Sequence, residues 1–205
     1  MSVGFIYFDL GNVLLNFDRQ RQVRQMAEVA GIDVERVQQV LFESDVFTRY
    51  ELGHIDSRQF YETFCKKTGT RPDFETLELA GSDIFDCNAT VLPLLVQLEA
   101  AGFRLGILSN TNHSHWTYCK KNFGTIPEAF EVSVLSYEVH ALKPDSHIFH
   151  VAADRARVPP QEIFFVDDQE ENVQGARQFG LDAVQYTTAT QLAHDLRERG
   201  VRCNY

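Results

Sequence analysis

The stretch FDLGNVL, residues 8–14, decides how the rest of the chain is read. An apolar run, Ile6-Tyr7-Phe8, leads straight into Asp9, and Gly11 stands two residues later. Parallel strands covered on both faces read as unbroken apolar runs, and open α/β sheets hold their ligands at the carboxyl ends of such strands. A carboxylate at the end of this run is therefore a candidate site residue. Four similar runs follow, at 103–108, 131–135, 163–166 and 183–186. Helical patterns lie between them at 90–101, 113–122, 146–157 and 172–179. Strand alternating with helix predicts an α/β protein with a doubly wound parallel sheet.

Residues 16–87 differ. Helical patterns cover 18–30, 33–42, 56–67 and 72–84, with Asp18, Asp33 and Asp56 as N-caps and Gly31 and Gly69 as stops. No strand pattern interrupts them. The expected organisation is a core domain, 1–15 and 88–205, with an all-helical cap domain, 16–87, inserted after the first strand.

A chain of 205 residues can bury one sizeable core with an insertion. Its formal charge of −10 disfavours nucleic acid and anionic membrane as partners. The start lacks the basic residues of a signal peptide, and the apolar runs are too short to cross a bilayer. The four cysteines form no CxxC pair, which suits a reducing compartment. A cytoplasmic monomer or homodimer acting on a small molecule is expected.

The polar residues at the strand ends form a set: Asp9, then Ser109 in GILSNTN, Lys143 in ALKPD, and Asp167 with Asp168 in FFVDDQEEN. Taken singly, each has a plainer reading: Asp9 as a strand end, Ser109 as a helix cap, Lys143 as a surface charge. Adjacent acids at a buried strand end are costly unless a cation neutralises them, and hard oxygen ligands imply Mg²⁺. Pro144 disfavours helix at Lys143. Asn172 either orients this acid pair or merely starts a helix.

This acid–hydroxyl–lysine–acid order, with a helical insertion after the first motif, resembles the haloacid dehalogenase superfamily of aspartyl-nucleophile hydrolases over nearly the whole chain. FDLGNVL, LSNTN and KP are most similar to its bacterial sugar-phosphate phosphatases of the α-glucose-1-phosphate phosphatase type. The resemblance implies a Mg²⁺-dependent phosphatase of a small phosphorylated metabolite. Asp9 would attack phosphorus and become an aspartyl phosphate. Lys143 would offset charge between carboxylate and phosphoryl group, and Ser109 and Asn110 would bind phosphoryl oxygens. Mg²⁺ would rest on Asp9, the backbone carbonyl of Gly11 and Asp168, with Asp167 acting through water or pairing with Lys143.

Gly11 departs from the pattern. Many phosphatases of this superfamily carry a second aspartate there, which protonates the leaving oxygen and later activates water. In the cap, Arg49, Tyr50, Glu51 and His54 are candidates to meet the leaving group. His113 and His115 diverge at i, i+2 on a helix and are not expected to hold zinc; His147 and His150 read as surface or packing residues. Two alternatives remain open. One is a 2-haloacid dehalogenase with the same nucleophile, which a halide-binding arginine early in the cap would support, with Arg19 and Arg21 as the candidates. The other is a phospholigand-binding protein weakened by Gly11.

Overall fold

The computed structural model describes residues 3–203; residues 1–2 and 204–205, the outer ends of the predicted core, lie outside the described residues. In chain order the elements are β1 Phe5–Phe8, β2 Leu15–Phe17, α1 Arg19–Ala30, α2 Val34–Phe42, α3 Val46–Glu51, α4 Ser57–Thr68, α5 Phe74–Ser82 and β3 Phe85–Cys87. There follow α6 Leu92–Ala100, β4 Leu105–Ser109, α7 His113–Asn122, the short α8 Thr125–Glu128, β5 Val132–Leu135 and the short α9 Ser136–Val139. The chain closes with α10 Ser146–Ala156, β6 Ile163–Asp167, α11 Glu170–Phe179, β7 Asp182–Gln185 and α12 Ala189–Glu198.

All five predicted runs are strands of one sheet, in the order β5-β4-β1-β6-β7. Every pairing in it is parallel. The strands are apolar throughout because both faces are covered. Ile6, Phe8, Ile107 and Phe164 face one layer with Leu94 and Leu98 of α6, Trp116 of α7 and Leu192 and Leu196 of α12. Phe5, Tyr7, Leu108 and Phe165 face the other, with Ile148, Phe149 and Ala152 of α10 and Val173 and Ala176 of α11. The polar tip of Tyr7 is satisfied inside that layer by donating to the Ala152 carbonyl at 2.9 Å.

β1 lies centrally, between β4 and β6, where the strand order reverses. Phe8 is in register with Ile107 on one side and Val166 on the other. Asp9, Ser109 and Asp167 consequently emerge together at the carboxyl edge, the switch point where such sheets bind ligands.

The helices α1–α5 bury a third apolar cluster of their own, built on Val23, Met26, Val37, Leu41, Tyr50, Phe64 and Leu77 among others. Two expectations need correction. First, the segment 16–87 is not free of strands. Where the chain leaves and re-enters the sheet layer, β2 and β3 pair antiparallel, Leu15 with Cys87 and Phe17 with Phe85. Three-residue strands are too short for a period-two signal to register. Second, the segment carries a helix beyond the four expected patterns, α3, which takes in Arg49, Tyr50 and Glu51.

After α3 the chain turns on Gly53 at φ +65°. A Cβ there would run into the Tyr137 carbonyl oxygen of α9, so the turn needs glycine both for its backbone angle and for the close approach. Gly53→Ala should cost roughly 1–3 kcal/mol in local strain, read as a lower urea midpoint with the slope unchanged. Unaltered stability would show that this turn does not hold α3 against the sheet layer.

Candidate active site

Lys143 is the centre of the site. It is 4% exposed, yet it carries a charge. Its Nζ lies 2.9 Å from Asp9 Oδ1 and 2.5 Å from Asp167 Oδ2, and it also donates to the Leu108 carbonyl at 2.9 Å. Burial alone would lower the pKa of Lys143, but the charges of Asp167 and Asp9 outweigh that and raise it. The loop carrying it is clamped to the loop after β4. The Lys143 N–H donates to Asn110 Oδ1 at 2.8 Å, and Asn110 Nδ2 donates back to the Lys143 carbonyl at 3.0 Å. The Asn110 side chain thus positions the lysine, while the residue itself lines the cleft.

Asp167 is fully buried at the end of β6. Besides Lys143 it accepts from Asn172 Nδ2 at 3.0 and 3.1 Å and from the Gln169 N–H at 2.8 Å. Asn172 is therefore an orienting residue for this acid. Asp168 points to the cleft instead. Its Oδ2 accepts from Asn12 at 3.0 Å and Gln169 at 2.6 Å. Asn12 reaches it from a left-handed backbone, φ 54°, which asparagine tolerates better than most residues. Asn12, inside FDLGNVL, and Gln169, inside FFVDDQEEN, thus hold Asp168, a role the sequence did not assign to either.

Asp9 is 8% exposed, and its Oδ1 also accepts from the Leu10 N–H at 2.7 Å. Burial pushes its carboxyl up to about 7, Lys143 opposes, and Asp167 and Asp168 push it further up. Carboxylate oxygens of Asp9, Asp167 and Asp168 all fall within 4.8 Å of one another. One ammonium faces three carboxylates, so the donor set is short of positive charge. Hard oxygen donors around a charge deficit fit a hard divalent cation such as Mg²⁺. Asp9 and Asp168 line the cleft, and Asp167 lies behind them, committed to Lys143.

Above these residues lies a cleft of about 590 Å³. Ser109 is on its wall at the end of β4, 2% exposed. The opposite wall comes from the helical segment and its stem: Phe17, Arg19, Phe47, Glu51 and Phe85. Of the four candidates in 48–56, only Glu51 lines the cleft. Tyr50 is buried in a hydroxyl cluster with Ser57 at 2.6 Å and Ser114 at 2.5 Å. Arg49 pairs with Asp45 at the surface, and His54 stacks near His140. Of the proposed halide ligands, Arg21 is held by Asp83 at 2.9 Å, while Arg19 reaches the cleft. His115 lines it too, but its Nε2 sits 3.0 Å from the Gly81 carbonyl and burial lowers its pKa to about 4, so it stays neutral.

Gly11 also has a steric cause. A Cβ at position 11 would lie 2.9 Å from Phe17 Cε1 and 3.2 Å from Cδ1. A side chain at position 11 would therefore require the partly buried Phe17 ring, on β2, to shift.

A family model described as haloacid dehalogenase-like hydrolase matches residues 5–180. D-ribitol-5-phosphate phosphatase from Bacteroides thetaiotaomicron is 23% identical over 186 residues, covering 88% of this chain and 90% of that protein. An (S)-2-haloacid dehalogenase from a Pseudomonas strain is 34% identical over 87 residues, 42% of this chain and 38% of its own length. Among solved structures, a HAD family enzyme from B. thetaiotaomicron in complex with magnesium and inorganic phosphate superposes with a TM-score of 0.82 at 26% identity, covering 91% of this chain and 96% of that one.

Two outcomes follow from this geometry. Mg²⁺ at 100 times its Kd should add about 2.7 kcal/mol, roughly 5–10 °C in melting temperature for a chain of this size; Asp168→Asn should abolish most of that rise, and an equal rise in the variant would remove Asp168 from the cation site. Gly11→Asp should overpack against Phe17 and cost about 1–3 kcal/mol. In a double-mutant cycle with Phe17→Ala, the combined loss in urea stability should be smaller than the sum of the single losses; simple additivity would show that Phe17 is not what excludes a side chain at 11.

Proposed function

We infer that this chain, which belongs to the haloacid dehalogenase-like hydrolases, is a Mg²⁺-dependent phosphatase of a small phosphorylated metabolite, a sugar or polyol phosphate. The observation that carries this reading is the buried Lys143 held between Asp9 and Asp167, with Asp168 at the cleft beside them. That arrangement holds one carboxylate ready to attack while leaving room and charge for a cation and a phosphoryl group. The resemblance to a polyol phosphate phosphatase and to a magnesium- and phosphate-bound relative supports it.

In this reading Asp9 attacks phosphorus through its cleft-facing oxygen, while Oδ1 stays anchored by Lys143 and the Leu10 N–H. Holding the attacking oxygen in place removes part of the entropic cost of the step. Lys143 offsets the charge that two anions accumulate on meeting, in a site where water is largely excluded and electrostatic effects are strong. The Ser109 hydroxyl donates to a phosphoryl oxygen. Asp9, Asp168 and the Gly11 carbonyl would hold Mg²⁺, which would supply Lewis acidity and charge neutralisation. Residues 16–87 act as a cap over the core, 1–15 and 88–205, with the β2–β3 ribbon as the stem joining them. Phe17, Phe47 and Phe85 give the cleft apolar surface, and Arg19 and Glu51 give it polar contacts for the leaving group.

The dehalogenase reading draws on the partial match to a haloacid dehalogenase and on Arg19 in the cleft. Attack on carbon has no use for three clustered carboxylates, which favours phosphoryl transfer. Phosphate release from a panel of sugar, polyol and aryl phosphates should require Mg²⁺, stop with EDTA and fall at least 10³-fold in Asp9→Asn. Chloride release from 2-chloropropionate in EDTA, with no phosphate release from any ester, would replace this reading with the dehalogenase.

A further inference from the structure

General acid–base help is typically worth about 10²–10⁴-fold, and the loop after β1 supplies no side chain to give it. Position 11 is glycine, and the Phe17 ring closes the space above it. An acid for the leaving oxygen must come from elsewhere on the cleft wall. His115 is tied to Gly81 and Gln22, and Lys143 and Asp167 are tied to each other. Asp168 is at the cation position.

Glu51 differs from all of these. It is partly buried, it lines the cleft, and among the described residues its carboxyl group has no hydrogen-bond or ion-pair partner. Its backbone, by contrast, is fixed to the phosphate side of the sheet layer. The Ser136 hydroxyl accepts from the Thr111 N–H at 2.9 Å and donates to the Glu51 carbonyl at 2.7 Å. One residue further on, His140 Nδ1 donates to the Leu52 carbonyl at 2.9 Å. One residue beyond that, Gly53 packs directly against Tyr137. Three consecutive residues therefore dock the end of α3 onto the loops after β4 and β5, within two residues of Ser109. The anchored backbone with an uncommitted carboxyl group is the arrangement expected of a residue that acts on substrate.

We propose that Glu51 is the general acid and base of this enzyme, taking over from the insert the role that position 11 cannot fill. This rests on the phosphatase reading above. In the first step an Asp9 oxygen forms a bond to phosphorus, the bond from phosphorus to the leaving oxygen breaks, and the Glu51 carboxylic acid gives that oxygen its proton, releasing an alcohol. In the second step a water oxygen bonds to phosphorus, the Asp9–phosphorus bond breaks, and the Glu51 carboxylate takes the proton from water. Phosphate leaves and Glu51 is again an acid. Burial raises the carboxyl of Glu51 to about 7, with Arg19 opposing, so both forms are accessible near neutral pH.

The test is Glu51→Gln, which keeps the shape and removes the transferable proton. It is assayed with Mg²⁺ on an alkyl phosphate, the best substrate of the wild-type panel, and on p-nitrophenyl phosphate. Turnover of the alkyl phosphate should fall about 10²–10⁴-fold. The aryl phosphate needs no acid to leave, so the variant should release a burst of one p-nitrophenolate per site and then turn over slowly, as phosphoenzyme accumulates. Inhibition by inorganic phosphate should stay within a few-fold of wild type, showing that the site is intact. Alkyl phosphate turnover within a few-fold of wild type would overturn the proposal. So would an equal loss on both substrates without a burst, which a positional role would produce. A wild-type enzyme that releases no phosphate from any ester would instead defeat the phosphatase reading itself.

Discussion

One buried ammonium organises this protein. Lys143 sits 4% exposed, shared between Asp9 and Asp167. Removing such groups from water is expensive, and removing one partner of a buried pair leaves an uncompensated charge. The fold absorbs this by delivering the groups from three strand ends and the loop beyond a fourth, at the point where the strand order reverses. The remaining valences are satisfied by Leu108, Asn110, Asn172 and backbone N–H groups. Even so, three carboxylates outnumber the single ammonium. The surplus makes the site attractive to a divalent cation, and with one bound, to a phosphoryl group, despite the net charge of −10 on the whole chain.

A second constraint is steric. Phe17 pairs across the stem with Phe85 and stands over Gly11. The stem that joins the two parts of the molecule and the absence of a side chain at position 11 are thus one feature. Chemistry that could have resided on the core loop is displaced to whatever the helical part presents. The helical part in turn is docked through α3, whose last residue is tied by Ser136 to the loop that follows Ser109. Under the proposal for Glu51, the docking of the helical part would set proton transfer as well as substrate fit.

Much of this was legible in the sequence. The five apolar runs marked the sheet, because strands buried on both faces need no polar alternation. Asp9, Ser109, Lys143, Asp167 and Asp168 stood at their ends and do come together. Asp167 pairs with Lys143, one of the two arrangements expected of it, and Asp168 lines the cleft. The stem strands β2 and β3 were too short to show a period. Helix α12 lies outside the expected patterns, although Ala189, Leu192, Ala193 and Leu196 stand at helical spacing, all buried. Phe17 and Phe47 could not be assigned to the cleft, since their positions depend on how the helical part docks. The same dependence separates Glu51 from Arg49 and Tyr50: neighbours on one short helix face the cleft, the surface and the interior in turn.

The central claim is that Asp9, poised by Lys143, becomes covalently phosphorylated. The most direct measurement is an acid quench during turnover of a phosphate ester with Mg²⁺, followed by mass spectrometry of the peptide containing Asp9. The peptide should gain the mass of one phosphoryl group, labile to hydroxylamine, and the gain should vanish in Asp9→Asn. Sustained Mg²⁺-dependent turnover that persists in Asp9→Asn, with no modified peptide at any quench time, would contradict it.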